Sequence, residues 1–375
     1  NDQDERVNGV KRNGIVRRAS VNSHNFVGSL INLKKKLNDK FSLDFGVDIR
    51  SYKGIHYRRL DNLLGADGYR DFDNKNYADK SINNKGSAVR TTEYSSNLGS
   101  LWNVFRDTDK EEKIDYHNDG LVRWTGAFTQ LKYKHNNVAA FLQGAVSNQG
   151  FQRIEYFNQV GTATSSWKNI TGGNVKAGVN YNFDIKSNVY VNGGYYSKQP
   201  NFDAVYINYS NTLNPDLKNE SVTGLEAGYG YVSSKLRMNI NVYKTTWEDR
   251  FLSDGVRTST GESGTANYYG IKQIHSGFEF DGEYQISPFI TVQGMLSLGN
   301  YEYGSDVTAV VFDDSRVNIG TSTLYLDGVK VGDAAQTTSR INLKVSPTDL
   351  FGFNVSMFSA SELYANFNPE DFDTD

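Results

Sequence analysis

From Val222 to Tyr231 one parity carries Thr223, Leu225, Ala227, Tyr229 and Tyr231, and the other carries Gly224, Glu226, Gly228 and Gly230. Side chains alternate faces along a strand, so this spacing predicts one oily face and one small or charged face. The pattern resumes after Val232-Ser233-Ser234-Lys235, with Leu236, Met238, Ile240 and Val242 opposing Arg237, Asn239, Asn241 and Tyr243, which makes a hairpin. It recurs at Val175, Ala177, Val179, Tyr181 and Phe183, and again at Phe278, Phe280, Gly282, Tyr284 and Ile286 against Glu279, Asp281, Glu283 and Gln285. In another run Phe41, Leu43, Phe45, Val47 and Ile49 oppose Ser42, Asp44, Gly46, Asp48 and Arg50. Charged residues at three positions of one face exclude lipid or a dry core on that side, so it needs water.

Between these runs the connections alternate in length. Short turns are expected at 35–40, at His135-Asn136-Asn137, at 184–188, at Val232–Lys235, at Ser287-Pro288 and at 346–349. Long polar stretches are expected as loops at 53–118, 149–171, 199–219, 253–274 and 302–338, the last with its own hairpin at 324–331, where Asp327-Gly328 suits a type I′ turn. About 12 strands of roughly ten residues, joined by turns alternating between short and long, match membrane barrels with short periplasmic turns and long external loops. Sandwich strands are shorter and propeller blades repeat with internal similarity, which this chain lacks. The expected fold is all-β: a transmembrane antiparallel β-barrel.

Composition sharpens this. Aromatics make up 13% of 375 residues, with 24 tyrosines and 35 glycines but only 5 prolines, a mixture suited to many strands and tight turns. Mean hydropathy is −0.58 and no apolar run nears the roughly 20 residues of a membrane helix. That excludes a helical membrane protein but not a barrel, whose strands turn only alternate residues to lipid. With no cysteine there is no disulfide or thiol chemistry. A net charge of −3 and the lack of a basic stripe give no reason to expect nucleic acid, and Lys34-Lys35-Lys36 reads as a solvated turn. The polar opening Asn1 to Arg6 and the acidic end Phe372 to Asp375 are expected to be interior cuts in a longer chain.

The stretch Asn214-Pro215-Asp216-Leu217-Lys218-Asn219-Glu220 is followed at once by a strand containing Glu226-Ala227-Gly228, and is preceded by Gly193 to Pro200. Asn214, Pro215, Leu217, Lys218, Glu220, Glu226 and Gly228 together resemble the loop-to-strand signature of TonB-dependent outer-membrane receptors, with Asn219 where that family often has proline. The resemblance implies that residues 1–375 are part of a 22-stranded barrel whose plug lies outside this chain. It implies an integral protein of the Gram-negative outer membrane, in contact with lipid and lipopolysaccharide. It further implies a partner in the TonB complex, reached through an N-terminal part not present here, and, for SusC-type importers, a surface lipoprotein. The implied activity is import of a scarce nutrient (siderophore, glycan, peptide or similar). A passive porin, a scaffold barrel and a soluble extracellular β protein are the alternatives.

No enzyme chemistry is expected and no cofactor. The histidines at 24, 56, 117, 135 and 275 show no metal-ligand spacing, and no serine-histidine pair stands out. Asp371, Asp373 and Asp375, and likewise Asp107, Asp109, Glu111 and Glu112, are incomplete calcium-ligand sets and read as solvated carboxylates. Asp44, Asp48, Arg50, Lys176, Glu226, Arg237, Glu279, Asp281 and Glu283 are expected on the watery inner face, where they either meet water or hold a plug. Tyr156, Phe157, Trp167, Tyr206 and Tyr209 fall in expected outer loops and are the candidate substrate-stacking residues, with loop packing or interfacial anchoring as the competing role.

Overall fold

A computed structural model describes residues 6–7, 10–11, 15–71, 73–74, 88–94, 108–157, 163–208, 210–257, 261–313 and 317–365. Its strands are β1 (Arg17–Lys36), β2 (Phe41–Asn62), β3 (Ile114–His135), β4 (Val138–Glu155), β5 (Lys168–Asn182), β6 (Ser187–Lys198) and β7 (Glu220–Val232). They continue as β8 (Leu236–Arg257), β9 (Ser263–Ser287), β10 (Ile290–Tyr303), β11 (Val307–Phe312), β12 (Asn318–Leu324), β13 (Ala335–Thr348) and β14 (Phe351–Leu363). All of them belong to one 14-stranded sheet. Each wall strand pairs antiparallel with its chain neighbour, β1 and β14 form the two edges, and β11 with β12 leaves the path as a hairpin so that β10 pairs directly with β13. The sheet does not close on itself among the described residues.

The turns at one end are short for local reasons. Asn136 adopts a positive φ of 49°, which asparagine tolerates better than most residues. Asp184 accepts the N–H groups of Lys186 (2.7 Å) and Ser187 (2.8 Å), closing an Asx turn. Ser233 accepts from the N–H of Leu236 at 3.0 Å. The expected alternation of short turns and long connections holds along the path except between β8 and β9, where β8 ends at Arg257 and β9 begins at Ser263.

Strand length departs from expectation: wall strands run from 12 residues in β6 to 25 in β9, not roughly ten. A bilayer needs about 9–11 residues per tilted strand, so the surplus projects past the lipid on the long-loop side. Period-2 patterning fades there because both faces meet protein and water, which is why the sequence places strand ends too early. The stretch 253–274 is accordingly not a loop, since β8 and β9 continue through it with Ser253 paired to Asn267 and Arg257 to Ser263. The segment 324–331 does turn, with the Val329 N–H on Leu326 O at 2.9 Å, but only Gly328 has positive φ (77°), so the turn is not type I′. Its two arms do not pair with each other: Leu324 pairs with Val307 and the far arm docks on β10, where the Val331 N–H donates to Tyr301 O at 3.0 Å.

The oily parity faces outward with nothing packed on it among the described residues. Leu142, Val175, Val179, Val191, Leu225, Val242 and Ile341 are all about half-exposed. Near the short turns, Tyr181, Phe183, Tyr284, Phe289, Phe351 and Phe353 are also exposed, as expected of an interfacial aromatic belt. No described helix is long and apolar enough to cross a membrane. Buried apolar side chains gather in three clusters beyond the lipid band, built around Tyr268 with Leu324 and Leu326, around Leu60 with Ile114, and around Phe151 with Val205 and Tyr206.

Candidate functional site

The candidate site is the face opposite the oily one, together with the loops above it. On that face the polar side chains connect across strands. Asn192 Nδ2 donates to Glu226 Oε2 at 3.1 Å, and the Tyr190 hydroxyl lies 3.2 Å from Glu226 Oε1 and 3.3 Å from Asn241 Oδ1. Asn241 Nδ2 then donates to Glu279 at 3.2 Å, and Asn239 Nδ2 to Asp281 at 3.1 Å. Farther along, Gln293 Nε2 donates to Glu283 at 2.6 Å and Asn342 Nδ2 to Gln293 at 2.9 Å. Lys132 pairs with Asp44 at 2.6 Å, and Arg50 with Asp48 two residues before it on the same strand. Asp44, Asp48, Arg50, Lys176, Glu226, Arg237, Glu279, Asp281 and Glu283 therefore share one face, as the alternation predicts.

The same face shows a device that the sequence reading missed. Gly46 stands opposite Phe128, Gly178 opposite Phe141, Gly228 opposite Tyr190 and Gly277 opposite Tyr243. At each glycine a Cβ would run into the facing ring, so the missing side chain is what lets the aromatic lie flat against the wall. Glycines on the polar parity were the available signal, but pairing each with its ring needs the cross-strand register. A hollow of about 450 Å³ opens beside one such pair, bordered by Trp124, Phe128, Asn174, Tyr196 and Gln199. Within it Trp124 Nε1 and Asn174 Oδ1 are buried with no hydrogen-bond partner among the described residues.

The motif residues fall into two mechanical parts. Asn214 is buried, donates to Ala204 O at 2.8 Å and accepts from the N–H of Asp216 at 2.9 Å, so it ties the short helix Phe202–Val205 to the run into β7. Leu217 packs on the Phe151 cluster, Pro215 is exposed, and Lys218 reaches Asp249 at 3.7 Å. Glu220 holds Lys198 at 2.9 Å and Arg250 at 3.3 Å, clasping β6, β7 and β8 together. Farther down β7, Glu226 anchors Tyr190 and Asn192 while Gly228 makes room for the Tyr190 ring. Each of these motif contacts has a structural purpose in this chain.

The described stacking candidates make separate contacts. Tyr156 stacks on His117 at 4.0 Å between ring centroids and donates to Asp119 Oδ2 at 2.8 Å, and Phe157 meets the same histidine edge-on at 6.0 Å. Tyr206 is only 3% exposed, and its hydroxyl accepts from Ser165 at 2.8 Å and lies 3.1 Å from Phe151 O. Trp167 lies under the Arg123 guanidinium at 4.1 Å. Tyr209, Asp107, Asp371, Asp373 and Asp375 lie outside the described residues.

Sequence reasoning passed over His117, which sits above the lipid band. Burial, with repulsion from Lys113, pushes its imidazole down to about 4, so it is neutral where it stacks on Tyr156. Glu111, read from sequence as solvated, is buried against Arg59 at 3.5 Å and accepts the Tyr57 hydroxyl at 2.7 Å. His24 and His56 do share a face, on adjacent strands, and His24 Nδ1 contacts the Tyr52 hydroxyl at 2.5 Å. Cross-strand neighbours of this kind carry no sequence spacing.

Comparison with known proteins places this geometry. The family model described as TonB dependent receptor-like, beta-barrel matches residues 3–374. Among solved structures, the chain resembles the siderophore receptor PiuA from Acinetobacter baumannii at TM-score 0.58 and 11% identity, covering 92% of this chain and 47% of that one. It resembles the copper transporter OprC at TM-score 0.54 and 14% identity, covering 90% and 48%. The ferric-catecholate import receptor Fiu from E. coli K12 aligns at TM-score 0.50 and 14% identity, covering 88% and 43%. The chain thus spans about half the length of the structures it matches. No curated protein matches.

Proposed function

This chain belongs to the TonB-dependent receptor β-barrel family, and from that premise we propose that it is wall and vestibule of an outer-membrane importer that takes up a scarce nutrient at the expense of inner-membrane energy. The observation that carries the reading is the hydrogen-bonded polar face running from Asn192 through Glu226 and Asn241 to Glu279, set back to back with half-exposed Leu225 and Val242. Such a wall has lipid on one side and a hydrated or plugged interior on the other. In this reading residues 1–375 supply part of the barrel domain, and the plug and coupling segment belong to the rest of the receptor.

The remaining roles follow from that placement. The wall is a static frame whose carboxylates, amides and flat-lying rings give a plug something to bind. The orphaned Trp124 Nε1 and Asn174 Oδ1 suit contacts with a polar plug surface, because a buried donor and acceptor without partners are costly. The loops capture substrate, the TonB complex transmits energy, and lipopolysaccharide surrounds the outer aromatic positions. A surface lipoprotein is the natural partner if the substrate is a glycan or peptide. Chemistry at a catalytic centre is not part of the mechanism.

Whole-cell uptake tests the reading, using a panel of ferric and cupric chelates, oligosaccharides and peptides with and without the energy coupler. Accumulation of one substrate that collapses when the coupler is deleted is the expected result. Uptake that persists unchanged, together with steady ionic conductance of the purified receptor in planar bilayers, would instead identify a passive pore.

A further inference from the structure

Above the lipid band, three aspartates from two segments meet. Asp71 ends the small ribbon strand Tyr69–Asp71, Asp73 follows it, and Asp115 lies at the outer end of β3. One oxygen from each can be chosen so that all three lie within 4.8 Å of one another. Asp71 is 0% exposed, and its Oδ2 is buried with no hydrogen-bond partner among the described residues. Its Oδ1 accepts the N–H groups of Asp73 at 3.1 Å and Asp115 at 3.3 Å, which fixes the carboxylate between the other two residues. An ionisable group fully removed from water with a bare oxygen is costly unless something positive completes it.

The backbone goes out of its way to build this arrangement. The pairing of β2 with β3 slips between Tyr57, opposite His117, and Arg58, opposite Ile114. Asp115 sits in that slip with φ of 60°, a conformation that costs a non-glycine residue free energy. Bulges re-aim side chains, and this one turns Asp115 toward Asp71. Arg18 of β1 at 2.5 Å and Arg58 of β2 at 3.0 Å hold Asp115 Oδ2, and the Tyr69 hydroxyl donates to its Oδ1 at 2.7 Å. Those guanidiniums position Asp115. No ion pair reaches Asp71 among the described residues.

We propose that Asp71, Asp73 and Asp115 form a calcium site that pins the loop after β2 to the ends of β1, β2 and β3. The donors are all carboxylate oxygens with no nitrogen or sulfur ligand, which favours a hard cation over zinc or copper. Calcium accepts six to eight oxygens in adaptable geometry and completes its shell with water and main-chain carbonyls, whereas magnesium demands a near-ideal octahedron. With Arg18 and Arg58 offsetting part of the negative charge, the affinity belongs in the range of extracellular modules, about 10⁻⁴–10⁻³ M. The site is independent of what the receptor transports.

The test is calorimetric titration of the intact purified receptor with calcium chloride and, separately, magnesium chloride, paired with hydrogen exchange over residues 57–71 and 111–119. The expected result is one calcium site in that affinity range, slowed exchange in both segments on binding, and little response to magnesium. Asp71→Asn and Asp73→Asn should each weaken calcium binding by about tenfold or more, while Asp39→Asn in the first short turn leaves it unchanged. Because Asp73 is exposed, its variant decides the matter if the Asp71 variant misfolds. No calcium binding, binding that both variants retain, or protection by magnesium equal to that by calcium would overturn the proposal.

Discussion

The wall and the vestibule are made by the same strands but held by different physics. Below, Val179, Leu225 and Ile341 are about half-exposed and no second layer covers them among the described residues, so their stabilisation is expected from lipid. Above, Tyr268, Ile114, Leu324 and Val205 are essentially inaccessible and pack as in a small soluble protein. A single strand such as β9 passes from one regime to the other, with Phe278 and Phe280 in the band and Tyr268 and Ala266 in a core. Exposure of an oily residue here therefore marks the solvent it meets rather than a packing fault, and the buried clusters above give the vestibule a core that is expected to hold independently of the wall.

That independence can be broken from either side. The largest effect is expected at the buried pair Arg59–Glu111, where both side chains are under a tenth exposed. Arg59→Met strands the Glu111 charge and should cost the vestibule about 3–5 kcal/mol. Proteolysis of the outer loops should accelerate while the heat-modifiable gel shift of the barrel stays normal. A collapse of both together would show that the two regions are one cooperative unit.

The next effect belongs to the wall. Val179→Arg puts a charge in the oily band and should destabilise by about 2–4 kcal/mol if it lies near mid-depth. Asn180→Arg, one residue on and facing inward, should cost much less. Urea unfolding in bilayers measures both, and equal penalties would mean that parity does not sort lipid from water.

Gly228→Ala is expected to cost about 1–3 kcal/mol, since the Tyr190 ring must leave the wall and loosen its contact with Glu226. Gly255→Ala, where nothing lies within reach of a new Cβ, is the neutral control. The same urea series reads both, and a Gly228 variant as stable as its control would remove the close-packing role.

The pairing of Gly228 with Tyr190 also shows where sequence reading stops. The parity of Leu225, Glu226 and Gly228 announced a strand with two solvents, and alternating turn lengths announced a barrel wall. Both signals are local, or depend only on counting along the chain. The motif at Asn214 to Glu220 was visible as a resemblance, but its clasp on Ala204, Lys198 and Arg250 required coordinates. Strand ends were misjudged at 253–274 because two-faced patterning vanishes once lipid no longer sits on one side. Asp71 and Asp115 lie 44 residues apart and meet only through a bulge, so no spacing rule reaches them.

The smallest effect is pH-dependent and confined to the vestibule. His117 titrates near 6.5 when unfolded and at about 4 when folded, so the folded state favours the neutral ring. Its stabilising contribution is complete above pH 6.5 and is lost progressively as pH falls from 6.5 to 4. His117→Phe should flatten that part of the pH profile of vestibule unfolding, followed by tyrosine fluorescence. A variant profile as steep as the parent's would assign the dependence elsewhere.

Alternate residues of one strand should face lipid and water. Because this chain has no cysteine of its own, single cysteines can be placed at Val175, Lys176, Val179, Asn180, Leu225 and Glu226 of the intact receptor, spin-labelled and reconstituted in liposomes. Labels at Val175, Val179 and Leu225 are expected to relax with oxygen and not with a water-soluble nickel chelate, and those at Lys176, Asn180 and Glu226 to be shielded from oxygen. A nickel response at both parities, or oxygen contact on the charged parity, would contradict it.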